Sequence, residues 1–304
     1  MVITIVGNNV YACSRRLQEL VGMFISDHGE LAVERIDAEE KDVAGIKDAV
    51  QGVGFLTTNK LVVLRGMSTN KEAAEKIEQI LSSIPETTDV VVYEPLTDKR
   101  TVFYKFLKAN TQLEEYLELD EGQLTTWLAE QAKKSSALLS YSDAKYLVGR
   151  VGVGQQRLAS ELEKLLLYDI SISRETIDLL VEPTPQSKIF DLLDAAFAGR
   201  KKKALELYND QRAQNVEPQA IAAMLAWQLQ TMALAKFGAG KSAPQIAKDA
   251  GVSPYPISKA ANLVARLPLE QLKQMINDLT MIDYKSKTSK FDVDEALKTY
   301  IVSL

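Results

Sequence analysis

The chain carries one histidine and one cysteine, His28 and Cys13. One cysteine excludes an intramolecular disulfide and a cysteine metal cluster, and it fits a reducing cytosol. One histidine excludes any site that needs two, HExxH zinc chemistry included. It also removes the usual general base, although carboxylates can serve. His28 reads as a loop residue in SDHGE with no role. Gly7 follows an apolar strand and precedes a helix, the position of the phosphate loop in nucleotide-binding α/β folds. That chemistry needs GxxxxGK[ST], with backbone N–H groups and a lysine around the phosphates. The sequence here is GNNVYACSRR, without a second glycine or a lysine and with bulky Val10 and Tyr11 in the loop; GxGxxG is absent too. No nucleophile is paired with a base. No catalytic, cofactor-binding or metal-ligating residue is expected.

What remains is binding chemistry. In Val53 to Gly66, VGFLTTNKLVVLRG, the run Leu61-Val62-Val63-Leu64 suits a strand covered on both faces. Before it stands Phe55-Leu56, set off by Thr57-Thr58-Asn59-Lys60. Val43, Ile46, Val50 and Val53 form the apolar stripe of a preceding helix. At about 100° per residue Phe55 falls nearly opposite Ile46, and Leu56 nearer the stripe's edge. Two readings follow. The pair points away from the core as a knob for a partner's pocket, or the helix ends earlier and the pair folds back onto the core. Asp98-Lys99-Arg100 lies at the carboxyl edge of a strand, where α/β sheets place ligands, but reads better as a helix start with Asp98 favouring its N-terminus. Arg200-Lys201-Lys202-Lys203 reads as a solvated helix start rather than a phosphate contact. Ser242 to Asn262 has the look of a DNA-binding helix-turn-helix. Pro254 and Pro256 stand where base contacts belong, which favours a turn inside a larger bundle.

The elements that position these residues alternate at first. Strands at Val2–Val6, Leu31–Asp37, Leu61–Leu64, Asp89–Tyr93 and Leu113–Leu119 are separated by helices, which predicts a parallel, doubly wound sheet. After Asp120 the strand signal stops. Helices follow at 123–135, 143–151, 155–168 and, capped by Ser173, 173–181. Pro183-Thr184-Pro185 is the linker candidate, and everything after it reads as helical. The hydrophobic fraction of 46% and charged fraction of 25% are those of a protein with real cores. A net charge of −5 argues against a chain that is a nucleic-acid binder as a whole. No apolar run approaches the roughly 20 residues that span a bilayer, and MVITIVGNN has no basic region of a signal peptide.

Taken in order, these pieces resemble one family end to end. The loop IVGNN, the segment GFLTTNKLVVLRG, VVYEPLTDKRTVFYKFLK, YLVGRVGVGQQRLASELEKLLLY, KIFDLLDAAFAGRKKKALELY and EPQAIAAMLAWQL are similar in order and spacing to the delta subunit of bacterial DNA polymerase III, a clamp-loader subunit. The resemblance implies α/β plus all-α architecture in an AAA+-like three-domain chain. Its parts would be an α/β domain over 1–119, a small helical lid over 120–184 and a helical collar over 185–304. It implies a cytoplasmic chain that binds no ATP and has no catalytic site of its own within a nucleotidyltransferase holoenzyme. As partners it implies the sliding clamp, the ATP-hydrolysing loader subunits through the C-terminal domain, and primed DNA as part of the assembled loader. It also implies that Phe55 and Leu56 are the apolar pair inserted into the clamp, in the order Phe-Leu where the family often has Leu-Phe. The alternative is a DNA-binding regulator using residues 242–262.

Overall fold

The computed structural model describes the chain except residues 53–56, 239, 253 and 266 and the side chains of Gln186 and Asn262. It divides into two compact units, Met1–Leu119 and Asp120–Leu304.

The first unit is an α/β sandwich. Its elements are β1 (Val2–Gly7), α1 (Val10–His28), β2 (Val33–Asp37), α2 (Val43–Gln51), β3 (Lys60–Arg65), α3 (Lys71–Glu75), α4 (Ile77–Leu81), β4 (Thr88–Pro95), α5 (Val102–Asn110) and β5 (Gln112–Glu115). The five strands run parallel in the order β2-β3-β4-β1-β5. Alternation along β3 explains why its sequence is apolar throughout. Leu61 and Val63 meet Ile3, Ile5, Val91 and Leu17 on the α1 face. Val62 and Leu64 meet Ile46, Val50, Ile77, Ile80 and Leu107 on the other. Each such side chain contributes about 1.5–3 kcal/mol by leaving water.

Several boundaries differ from the sequence pattern. His28 ends α1 rather than lying in a loop, with its ring 4.6 Å from that of Phe24, its neighbour one turn back. The segment between β3 and β4 holds two short helices meeting at Lys76, a turn that leaves Ala73, Ile77 and Ile80 all buried. The helix after β4 begins at Val102, past the Asp98-Lys99-Arg100 segment that reads as its start. The Thr101 hydroxyl caps it by accepting from the Tyr104 N–H at 3.2 Å, the role expected of Asp98. β5 stops at Glu115, because the residues after it turn across the end of β1.

The second unit is helical. Its first part holds α6 (Glu121–Lys134), β6 (Leu138–Leu139), α7 (Tyr141–Val151), α8 (Gln155–Tyr168), β7 (Ser171–Ile172) and α9 (Arg174–Leu180). The two-residue strands β6 and β7 pair in parallel, a ladder too short to show as a sequence period. An Asp120–Gln123 capping box starts α6, and the Ser173 hydroxyl caps α9 as expected. The proline segment is a helix start. Thr184 caps α10 (Pro185–Phe197) and Pro185 occupies its first turn, where the missing N–H costs nothing.

α11 (Lys201–Ala213), α12 (Pro218–Phe237), α13 (Ala243–Ala250), α14 (Pro254–Val264), α15 (Leu269–Thr288) and α16 (Val293–Ser303) follow. α12 is the axis of this bundle, with Ile221, Leu225, Leu229 and Met232 buried among the others. One polar cluster ties α11 to α16. Asp294 accepts from the Tyr208 hydroxyl at 2.9 Å and the Arg212 Nε at 2.6 Å, and pairs with Lys298 at 2.7 Å.

Candidate functional site

Phe55 and Leu56 lie outside the described residues, but both ends of the segment that bears them are fixed. Asp42 caps α2 through the Gly45 N–H, and Ile46, Ala49 and Val50 bury the helix against the sheet. At its end the Gln51 carboxamide donates to the carbonyls of Gln79 and Ser82, both at 3.1 Å, and more weakly to Ile80 at 3.4 Å. These are end carbonyls of α4 that its own helix leaves unpaired, so one side chain fastens two helix ends together. Gly52 then makes a sharp exit: a Cβ there would lie 2.4 Å from the Asp48 carbonyl oxygen. On the other side, the Lys60 ammonium donates to the Ala49 carbonyl at 2.7 Å and pairs with Glu34 at 2.6 Å. A cation on the last carbonyls of a helix suits the helix dipole, and its charge-assisted bonds contribute about 1.5–3 kcal/mol each. Asn59 reaches the His28 ring at 3.4 Å. Residues 52–59 therefore connect two rigid elements at the amino edge of the sheet.

The opposite, carboxyl edge is where a phosphate loop would sit, and it is filled by the chain itself. Gly7 has φ +133°, and a Cβ on it would fall 1.8 Å from the Tyr116 carbonyl oxygen. The Tyr116 N–H donates to the Val6 carbonyl at 2.8 Å, and the Asn9 N–H to the Tyr116 carbonyl at 3.1 Å. The Asn8 side chain accepts from the Glu118 N–H at 2.9 Å; that of Asn9 donates to the Leu117 carbonyl at 3.2 Å and accepts from the Ala12 N–H at 3.0 Å. The groups that would cradle a phosphate are thus engaged with residues 116–118. Arg16 grips Glu114 through two bonds, at 2.8 and 3.0 Å, and holds that carboxyl below its ordinary range. The tyrosine on the same carboxylate, Tyr116, is pushed up to about 12, chiefly by burial. Cys13 is buried and its thiol rises to about 11, the opposite of an activated nucleophile. Glu94, at the end of β4, accepts from the Met67 N–H at 2.5 Å, the Ser68 hydroxyl at 2.5 Å and the Ser68 N–H at 3.3 Å. Burial raises its carboxyl above the ordinary range, and its contacts make it the anchor of the turn after β3.

Several of the remaining candidates are engaged in local pairs. Lys99 pairs with Glu115, and Arg100 takes both oxygens of Asp98, which holds that carboxyl at about 2. Arg200 precedes α11, and Lys203 reaches Glu206 at 3.5 Å. A helix-turn-helix shape does form: α13 ends at Gly251, in the left-handed region at φ 67°, and α14 follows. Its apolar face is spent on the bundle, with Ile246, Ala247, Ile257 and Ala260 buried beside α12. The Lys259 ammonium lies over the rings of Phe190 and Tyr255, at 5.6 and 5.7 Å.

Sequence reasoning missed three features. The ties of Gln51 to α4 and of Lys60 to Ala49 and Glu34 had no signal beyond one lysine at a strand start. The closing role of Asn8 and Asn9 was signalled only by two amides directly after the strand. The third is the outer side of α12, which leaves Trp227, Ala223 and Ala226 exposed beside Ile276 of α15, over a groove of about 600 Å³ that Gln219 and Gln230 also line. Among the described residues no three His, Cys, Asp or Glu side chains are grouped to hold a metal, and no helix is long and apolar enough to cross a membrane.

The five-stranded parallel sheet followed by a helical second unit is an α/β plus all-α chain with an AAA+-like fold. A solved structure, the Bacillus subtilis DNA clamp loader delta protein, superposes with a TM-score of 0.73 at 22% identity, over 99% of this chain and 94% of that one. The DNA polymerase III subunit delta of Bacillus subtilis (strain 168) is 27% identical over 269 residues, 82% of this chain and 77% of the relative. The family "DNA polymerase III, delta subunit" matches residues 4–117, and "DNA polymerase III delta subunit, C-terminal domain" matches 186–304. The chain belongs to the DNA polymerase III delta subunit family, the clamp-loader family that its sequence resembles.

Proposed function

We propose that this chain is the clamp-opening subunit of its loader, and that Phe55 and Leu56 enter a pocket on the sliding clamp. The observation that supports the reading is that the chain is tied down before and after the pair, Gln51 to the end of α4 and Lys60 to the end of α2. A partner that binds the open ring better than the closed one shifts the population toward opening by that differential affinity alone. The chain does this without binding ATP, since its phosphate loop is spent on Tyr116 to Glu118, and without catalysis of its own. ATP-hydrolysing subunits of the loader dock on the C-terminal helices 185–304, where the exposed apolar strip of α12 offers a surface. In this reading residues 1–119, 120–184 and 185–304 are an α/β domain, a lid and a collar, acting in the cytoplasm on primed DNA within the assembled loader.

The test is titration calorimetry of the purified protein with the sliding clamp of the same source, beside the variant carrying Phe55→Ala and Leu56→Ala. Binding by the wild type and its loss in the variant, with an unchanged circular dichroism spectrum, is the expected result. Retained affinity in the folded variant would sink the assignment of the pair.

A further inference from the structure

A groove of about 630 Å³ lies between the α3–α4 pair and α5. Phe103 and Phe106 lie along its α5 side, the first buried and the second partly so. Its lips are Leu96 and Val102, which are 70% and 82% exposed. Leu96 adopts φ 66°, a left-handed conformation, with its N–H donating to the Gly7 carbonyl at 3.0 Å. That backbone state costs a bulky L-residue about 1–2 kcal/mol, and the exposed side chain returns nothing by burial in the free chain. The Leu96 N–H bond to Gly7 holds that backbone state in the free chain, and it presents the side chain at the groove's lip.

The charges around the groove select the cover. Glu75 and Glu78 line one side and make no ion pair among the described residues; Lys71 is the single lining cation. Asp98 also lines it but is already neutralised by Arg100. An apolar floor with an unbalanced acidic rim complements an apolar stripe flanked by cations.

We propose that this groove docks an amphipathic helix of another protein, apolar on one stripe and lysine- or arginine-rich beside it. The groove follows the carboxyl ends of β3 and β4, whereas the segment between Gly52 and Thr57 leads into the amino end of β3. The groove's lining includes none of residues 52–59, and the inference stands whether or not Phe55 and Leu56 bind the clamp.

The probe is a synthetic peptide of about 18 residues with leucine at i, i+3, i+4 and i+7 and lysine beside the stripe, with a twin carrying glutamate for lysine. Each is titrated into the full-length protein by fluorescence anisotropy. The lysine peptide is expected to bind, and the glutamate twin at least about tenfold more weakly. Leu96→Asn, and separately Glu75→Lys with Glu78→Lys, should each weaken the lysine peptide by about tenfold or more. Because asparagine tolerates the left-handed region, Leu96→Asn should not lower the Tm of the free protein. No binding, equal binding of the twins, or variants that change nothing would overturn the proposal. So would a lowered Tm in Leu96→Asn, which would show that Leu96 serves the free fold. A concentration-dependent dimer in sedimentation velocity that Leu96→Asn abolishes would replace the partner helix by a second copy and overturn it as well.

Discussion

Gly7 and Glu94 show how single positions at the carboxyl edge are committed to holding the chain. At Gly7 a methyl group would meet the Tyr116 carbonyl at 1.8 Å, and φ +133° already disfavours any L-residue. Gly7→Ala is expected to cost about 3 kcal/mol or more, measured by urea unfolding. Glu94 is a different case, since it is a buried acid that receives three donors. Glu94→Ala leaves the Met67 and Ser68 N–H groups facing an empty site and should cost about 2–4 kcal/mol. Glu94→Gln should be milder, because the amide keeps one acceptor oxygen, yet its NH₂ must face a donor. Equal stability of wild type and Glu94→Ala would show that the turn after β3 is held by other contacts. Since burial raises the Glu94 carboxyl, its protonation favours the folded state; its contribution is largest at low pH and declines as pH rises through the raised value.

At the scale of elements, the α11–α16 pair carries the opposite pH dependence. Lys298, then Tyr208 and Arg212, hold the Asp294 carboxyl at about 2, below its ordinary value. A depressed carboxyl stabilises the fold above its ordinary pKa and loses that contribution as pH falls toward the folded value. The expected window is therefore from about pH 4 down to about pH 2. With the site partly open to solvent, about 1 kcal/mol is at stake. Asp294→Asn keeps an acceptor for Tyr208 but not the charge. It should lower the urea midpoint at pH 6 and converge on the wild type near pH 2; a constant gap across that range would rule the charge out. Elements of this kind were legible in the sequence where one period decides them. The apolar run of β3 and the Ser173 cap before α9 are local signals of this kind. The two-residue β6–β7 ladder depends on a pairing far along the chain, which no local period records, while the break at Lys76 and the Thr101 cap before α5 are local turns that an apolar period does not mark. The same holds for the candidate site. Phe55-Leu56 is visible as an apolar pair before a strand, but Gln51 on the carbonyls of α4 is a contact across 28 residues or more.

For the whole molecule, the boundary between Leu119 and Asp120 is where the contacts of one unit stop and those of the other begin. Each side has its own apolar core, one around β1, β3 and β4, the other around α12. The second unit opens with its own capping box, the Asp120 carboxylate accepting from the Gln123 N–H at 2.8 Å and the Asp120 N–H donating to Gln123 at 2.9 Å. The first unit ends with residues that close it, since Leu117 and Glu118 are held by Asn9 and Asn8. Fragments 1–119 and 120–304 should therefore each fold alone, with cooperative thermal transitions and helical circular dichroism. A fragment 1–115, shorter by only four residues, loses the Tyr116 bonds to Val6 and Asn9 together with both asparagine contacts. Each hydrogen bond contributes about 0.5–1.5 kcal/mol net, so the shorter fragment should be less stable by several kcal/mol and melt well below 1–119. If the two fragments melt together, the segment that fills the phosphate-loop position is a passive crossing, and Asn8 and Asn9 hold nothing that the sheet needs.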